Sequence, residues 1–152
     1  MTIREATDRD APGIAAILIT MEISALASHS LESIVAIIAQ NLSRAATSNS
    51  TALVAESPQG EITGYCADHW VPFLFMRGGE AYVTELFIRR SDSGKGVGTM
   101  LLDTIVASAR RRGCSRLSLL NGRDSDAYRR GFYAKNGWTE RDRMANFILR
   151  LT

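Results

Sequence analysis

The sequence predicts one α/β domain over residues 1–152, with a mixed, mostly antiparallel sheet and helices on both faces. Three observations predict it. Two β-prone runs, 51–56 and 62–71, flank Pro58-Gln59-Gly60, which reads as the turn of a β-hairpin. A third run, 81–88, feeds through a glycine-rich connection into an amphipathic segment that ends near Arg112. A fourth run, 116–120, follows it, which is the order of a strand–helix–strand crossover.

The elements follow in order. Residues 3–6 form a short opening strand. Thr7-Asp8-Arg9-Asp10 supplies cap and first-turn chemistry, and Pro12 suits an early helical position. Ile14, Ile17, Leu18, Met21 and Leu26 then keep a helical period. A second helix runs from 31 to 44, with Ile34, Val35, Ile37, Ile38 and Leu42 on its apolar side, and Thr47-Ser48-Asn49-Ser50 is a polar loop. The hairpin comes next, then a loop at 72–79, the strand 81–88 and the long helix, which Gly113 terminates. After the strand 116–120, a helix at 125–136 ends at Gly137, and 144–151 reads as a closing strand. No internal repeat, low-complexity segment or linker interrupts this β-α-α-β-β-β-α-β-α-β order.

Composition narrows the function classes. The net charge is only +2, with both signs mixed along the chain. The one basic run, Arg110-Arg111-Arg112, falls at a helix C-terminus, where cations complement the dipole, and no aromatic residues interleave with it. Nucleic acid is therefore not an expected partner. No apolar stretch is long enough to span a bilayer, and Met1-Thr2-Ile3-Arg4-Glu5 lacks the apolar core of a signal peptide. Cys66 and Cys114 sit in apolar settings without metal-ligand spacing and read as reduced thiols. A cytoplasmic protein with no membrane contact and no metal site is the expectation.

The segment richest in chemistry is Ser93-Gly94-Lys95-Gly96-Val97-Gly98, followed by the helical Thr99-Met100-Leu101-Leu102. Glycine lets the backbone turn tightly and lets a ligand approach its amides. A helix start adds unpaired N–H groups and the positive end of the macrodipole. Three alternating glycines, each costing a helix up to about 1 kcal/mol relative to alanine, are more than a connection needs. The combination is a site for phosphate or pyrophosphate. It is not a Walker loop, because Gly94-Lys95 is followed by Gly96 rather than by Ser or Thr. Nor is it a dinucleotide turn, because the third glycine arrives one residue early, at Gly98.

These residues resemble the acyl-CoA pyrophosphate loop of the GNAT superfamily of N-acyltransferases, Arg/Gln-x-x-Gly-x-Gly/Ala. A second motif, Phe132-Tyr133-Ala134-Lys135-Asn136-Gly137-Trp138, resembles the family's Tyr-x-x-x-Gly-Phe/Trp signature. The element order extends the likeness over nearly the whole chain. Ser93 departs from the pattern, standing where the family has Arg or Gln; the departure implies either weaker CoA binding or compensation by the cations Lys95 or Arg90. The resemblance implies acetyl-CoA as co-substrate, its pyrophosphate held by backbone N–H groups of Gly94, Lys95, Gly96, Val97, Gly98 and Thr99. It further implies that the strand 83–88 splays from 116–120. The pantetheine arm would pair with main-chain groups at Leu86, Phe87 and Ile88, and a backbone N–H in that strand would polarise the acyl carbonyl. Asn121 is a further candidate for cofactor contact.

Acylation of an amine needs a neutral nucleophile, although a lysine-like amine has a pKa of about 10.4, and it needs a proton for the departing thiolate. Tyr133, at the family's tyrosine position, is the candidate acid; the alternative is a tyrosine that packs beside Phe132 and Trp138. Glu85, mid-strand and just ahead of Leu86, is the candidate base; the alternative is an outward-facing or ion-paired strand residue. His29, His69 and Trp70 are weaker candidates, and the aromatic loop 72–76 either lines the acceptor pocket or supports a homodimer. The expected activity is transfer of acetyl to a primary amine of a small-molecule or peptide acceptor by direct attack. A non-catalytic acyl-CoA-binding or sensing module is the alternative. The segments 21–44 and 72–79 are the expected acceptor side.

Overall fold

The computed structural model describes residues 1–21, 23–45 and 47–151. Glu22, inside the expected acceptor segment, lies outside the described residues. The chain divides into two compact units, Met1–Leu120 and Asn121–Thr152. The first holds strands β1 (Thr2–Glu5), β2 (Ser50–Glu56), β3 (Ile62–Val71), β4 (Glu80–Ile88) and β5 (Arg116–Leu119), with helices α1 (Ala11–Thr20), α2 (Leu31–Ala45) and α3 (Val97–Arg111). The second holds α4 (Asp126–Arg129) and α5 (Phe132–Lys135).

The sheet order is β1-β2-β3-β4-β5. The first four strands form an antiparallel meander, and β5 returns parallel to β4 after α3, as the sequence predicts. The hairpin turns at Gly60, whose φ of 81° explains its residue type. Side chains alternate between faces, so β3 presents Tyr65 to one side and Gly64 and Cys66 to the other. Tyr65 packs with Ile14, Ile17 and Leu18 of α1 and with Val54, completing the core on that face. On the opposite face α3 buries Val97, Leu101, Leu102, Ile105 and Ala109. Gly64 marks how closely α3 approaches: a Cβ there would lie 2.7 Å from Ile88 Cδ1 and 3.3 Å from Val97 Cγ1.

An ionic cluster holds the chain start. Arg4 donates two hydrogen bonds to the Asp10 carboxylate, at 2.7 and 2.8 Å, and a third to Glu56. Asp10 also accepts from the Thr7 N–H at 2.8 Å, which caps the turn leading into α1.

Three expectations change. α1 stops at Thr20, whose hydroxyl donates to the Ile17 carbonyl at 2.6 Å, and Leu26 lies on a separate 3-10 turn, Ser24–Leu26, while still packing against the core. The helix expected at 125–136 is two short ones, because Gly131 between them adopts a left-handed conformation (φ 62°) that no continuing helix accommodates. The closing strand expected at 144–151 does not form: 144–150 carry no strand pairing, and Phe147, Ile148, Leu149 and Leu151 are exposed. A β-prone run becomes a strand only against a pairing partner and a surface to pack on. Among the described residues, no helix is long and apolar enough to cross a membrane.

Candidate active site

The site is built on the second half of β4 and the loop that continues it. β5 pairs with β4 only from Glu80↔Arg116 to Val83↔Leu119. From Thr84 to Ile88, β4 keeps β3 as its ladder partner on one side and has no β5 partner on the other. The register against β3 also breaks there: Asp68 opposes Val83 and Ala67 opposes Glu85, so Thr84 is the extra residue of a β-bulge. Its hydroxyl donates to the Ala67 carbonyl at 3.2 Å. Leu86, Phe87 and Ile88 follow on this one-sided stretch.

Glu85 is exposed. It is not solitary, because the buried Tyr65 hydroxyl donates to Glu85 Oε2 at 2.6 Å. Tyr65 also stacks on Phe87, ring centroids 5.8 Å apart. Burial first, and the Glu85 charge second, push the Tyr65 phenol well above its ordinary range, so it stays a donor. The carboxylate therefore has one oxygen oriented by a rigid core group while its side chain reaches solvent.

Beyond Ile88 the chain makes the 3-10 turn Arg90–Asp92 and enters the glycine loop. Gly94 and Gly96 have φ of 79° and 83°, and a Cβ on either would touch nothing within 4 Å. The glycines are needed for backbone conformation, and the space beside them is open. Gly96 is the N-cap of the 15-residue α3, so Val97, Gly98 and Thr99 lie in its first turn, where N–H groups have no intrahelical acceptor. The Lys95 N–H donates at 3.4 Å to the Asp92 carbonyl, and the Ser93 N–H at 3.3 Å to that of Arg90.

Asp92, 7% exposed, ties this segment together. It accepts from Arg89 Nε at 2.5 Å, Ser91 Oγ at 3.2 Å and Lys95 Nζ at 3.1 Å. Arg89 reaches on to Glu61 at 2.9 Å, and its N–H donates to the Thr63 carbonyl at 2.8 Å. The Arg89 guanidinium, helped by Lys95, holds the Asp92 carboxyl below its ordinary range despite its burial. Arg90 is exposed, so of the two expected compensating cations Lys95 is the one held against the loop.

The second unit orders its own motif residues. Tyr133 lies edge-on to Phe132 (5.0 Å between centroids) and to Trp138 (6.1 Å). The Trp138 N–H donates to the Tyr133 carbonyl at 3.0 Å, around Gly137 with φ 82°. Asn121 accepts from Ser125 Oγ at 3.0 Å, while its buried Nδ2 has no acceptor among the described residues.

The weaker candidates stay apart from this chemistry. His29 and His69 are exposed, and Trp70 donates to the Gly78 carbonyl at 3.3 Å. In the 72–76 loop Phe73 lies edge-on to Phe75, and Leu74 and Phe75 are exposed. A cleft of about 550 Å³ between α1 and the hairpin is lined by Arg9, Gly13, Thr20, Glu61 and Arg89 and contains none of the expected site residues. Among the described residues, no group of three or more His, Cys, Asp or Glu side chains is placed to hold a metal.

Four contributors escaped sequence reasoning. Tyr65, which orients Glu85, and Asp92, which binds Lys95, are two of them. Glu80, 4% exposed, accepts from Arg116 Nε at 2.9 Å, from Arg116 Nη2 and from the Ser118 hydroxyl, which fastens the first half of β4 to β5. Asp68 is buried opposite Val83 with its Oδ1 unpaired, and burial raises its pKa against the opposing influence of Arg112 and Thr51.

A family model described as the acetyltransferase (GNAT) family matches residues 14–138. Solved structures share the fold. A transcriptional regulator from Bacillus halodurans C-125 is 21% identical, with TM-score 0.82 and 99% of each chain covered. A ribosomal-protein-alanine N-acetyltransferase from Brucella melitensis biovar Abortus 2308 is 22% identical, with TM-score 0.78, 99% of this chain and 100% of that one covered. An acetyltransferase from Trypanosoma brucei is 25% identical, with TM-score 0.70, 97% of this chain and 99% of that one covered. No curated protein matches the sequence.

Proposed function

The chain belongs to the GNAT acetyltransferase family, and from that premise we propose that it moves acetyl from acetyl-CoA to a primary amine by direct attack. The observation that carries this reading is one continuous segment. The half-open strand Thr84–Ile88 leads through Arg90–Asp92 into two left-handed glycines and the N-terminus of α3. A one-sided strand offers ladder hydrogen bonds to a pantetheine amide, and a helix start offers N–H groups to a pyrophosphate.

The chain's own groups then divide the work. Main-chain groups of Leu86, Phe87 and Ile88 align the thioester arm, and an N–H of this stretch stabilises the carbonyl oxygen as charge develops on it. Glu85, oriented by Tyr65, takes the proton of the attacking amine, directly or through a water. As the C–N bond forms and the C–S bond breaks, Tyr133 gives its phenolic proton to the departing thiolate. Tyr133 receives that role from its place in the Tyr-x-x-x-Gly-Trp motif, and Asn121, with its unpaired donor, is assigned to cofactor contact. The acceptor side is assigned to 21–44 and 72–79, with the loop 72–76 either lining the acceptor pocket or supporting a homodimer, and the enzyme is read as cytoplasmic.

The experiment is thiol release from acetyl-CoA with an amine panel, including a peptide with N-terminal alanine, the acceptor named for the Brucella neighbour. Amine-dependent release, lowered at least tenfold in Tyr133→Phe with CoA affinity unchanged, supports the reading. CoA binding without release by any amine leaves the non-catalytic acyl-CoA-binding module instead.

A further inference from the structure

Lys95 is the one cationic side chain in the loop 93–98, and it is not free to wander. Its ammonium lies 3.1 Å from Asp92 Oδ1, while the other oxygen of that carboxylate is bound by Arg89 and Ser91. Arg89 is in turn fixed at the end of β4 through its N–H on Thr63 and its guanidinium on Glu61. The Lys95 side chain is nevertheless 62% exposed, so the ammonium is held without being covered.

Resting on the acyl-CoA reading, we propose that Asp92 is a positioning residue for the phosphate-binding loop. Anchored by Arg89, it holds the Lys95 ammonium where a pyrophosphate enters. Asp92 is an anion beside a site for an anion, and simple charge counting says that removing it improves binding. Positioning says the reverse, because an untethered lysine must lose its side-chain freedom each time ligand arrives. The two accounts predict opposite signs for one substitution.

The test is CoA binding by isothermal titration to the wild type, Asp92→Asn, Lys95→Met and the double variant, with melting temperatures as a fold control. Positioning predicts that Asp92→Asn raises Kd for CoA about tenfold, the scale of one charge-assisted hydrogen bond. Lys95→Met raises it similarly, and adding Asp92→Asn to Lys95→Met costs less than about threefold more, because both act through one ammonium. Equal or tighter binding by Asp92→Asn overturns the proposal, as does a double variant whose losses simply multiply. If Asp92→Asn does not fold, the exposed Lys95→Met still decides: unchanged affinity there also overturns it. Wild-type protein that binds neither CoA nor inorganic pyrophosphate overturns the acyl-CoA reading and this inference together. A wild type that binds CoA beside an indifferent Asp92→Asn overturns the inference alone.

Discussion

The two halves of β4 carry one glutamate each and use it in opposite ways. Glu80–Val83 has a strand on both sides, and its glutamate is buried under Arg116 and Ser118. Thr84–Ile88 has a strand on one side only, and Glu85 projects to solvent with a single hydrogen bond from the core. Glu80 spends its hydrogen-bonding capacity on the fold. Glu85 keeps one oxygen uncommitted by Tyr65, which is what a proton acceptor requires. The difference teaches that the sheet stops pairing where the proposed chemistry begins.

Substitutions can break this contrast, and the largest expected effect is at Glu85. Glu85→Gln should lower kcat/KM for acetyl transfer about 100-fold or more. Its melting temperature should stay near that of the wild type. An unchanged kcat/KM removes Glu85 from the proton path.

Glu80 should behave inversely. Glu80→Ala leaves Arg116 half-buried without its carboxylate and should cost about 2–3 kcal/mol in urea unfolding, discounted from a fully buried pair because Arg116 reaches solvent. A loss below about 0.5 kcal/mol means that the buried glutamate does not fasten β5.

Tyr65 meets the second half of β4 at Glu85 and Phe87, and its effect on stability emerges in alkali. Its folded pKa is raised above the ordinary value of 10.0, by burial and then by Glu85. The unfolded chain therefore ionises first, and stability is lost as pH rises past that value. Between pH 9 and 11 the wild type should lose about 1 kcal/mol more than Tyr65→Phe does. Parallel losses in the two proteins mean that the phenol ionises as readily in the fold.

The smallest effect lies at the join. Asp68 faces Val83 with one oxygen unpaired, and burial raises its folded pKa, so at neutral pH the ionised group opposes folding. Asp68→Asn should add about 0.5–1 kcal/mol at pH 7, an advantage that shrinks as pH falls through the folded pKa and the native carboxylate takes up its proton. A gain that persists at acid pH has another origin.

Much of the fold was legible because its signals are local. Pro58-Gln59-Gly60 marks the hairpin, and the alternating glycines mark where β4 turns into α3. Glu85 and Leu86–Ile88 could be singled out through the resemblance of that loop, which they precede, to the family's pyrophosphate loop. What escaped depends on partners far away in sequence. Tyr65 meets Glu85 only through the β3–β4 register, and register is not written in either strand alone. Glu80 meets Arg116 and Ser118 only after α3 has brought β5 alongside. Gly131 did carry a local signal, since a glycine in a short helical run is a reason to end it. The apolar run near Phe147 shows the converse, a propensity with no paired edge to express it.

The bulge at Thr84 also has an arithmetic consequence. Along an uninterrupted strand, residues two apart share a face, so Val83 and Glu85 would both lie on the α3 side. With one extra residue between them, Val83 stays beside Asp68 and Glu85 joins Ala67 and Tyr65 on the other side. Parity, and not length, is what Thr84 contributes. Deleting Thr84 would set Glu85 directly after Val83, where ordinary alternation keeps the two on opposite faces as they are now, whereas pairing Thr84 into the ladder would turn the candidate base toward α3.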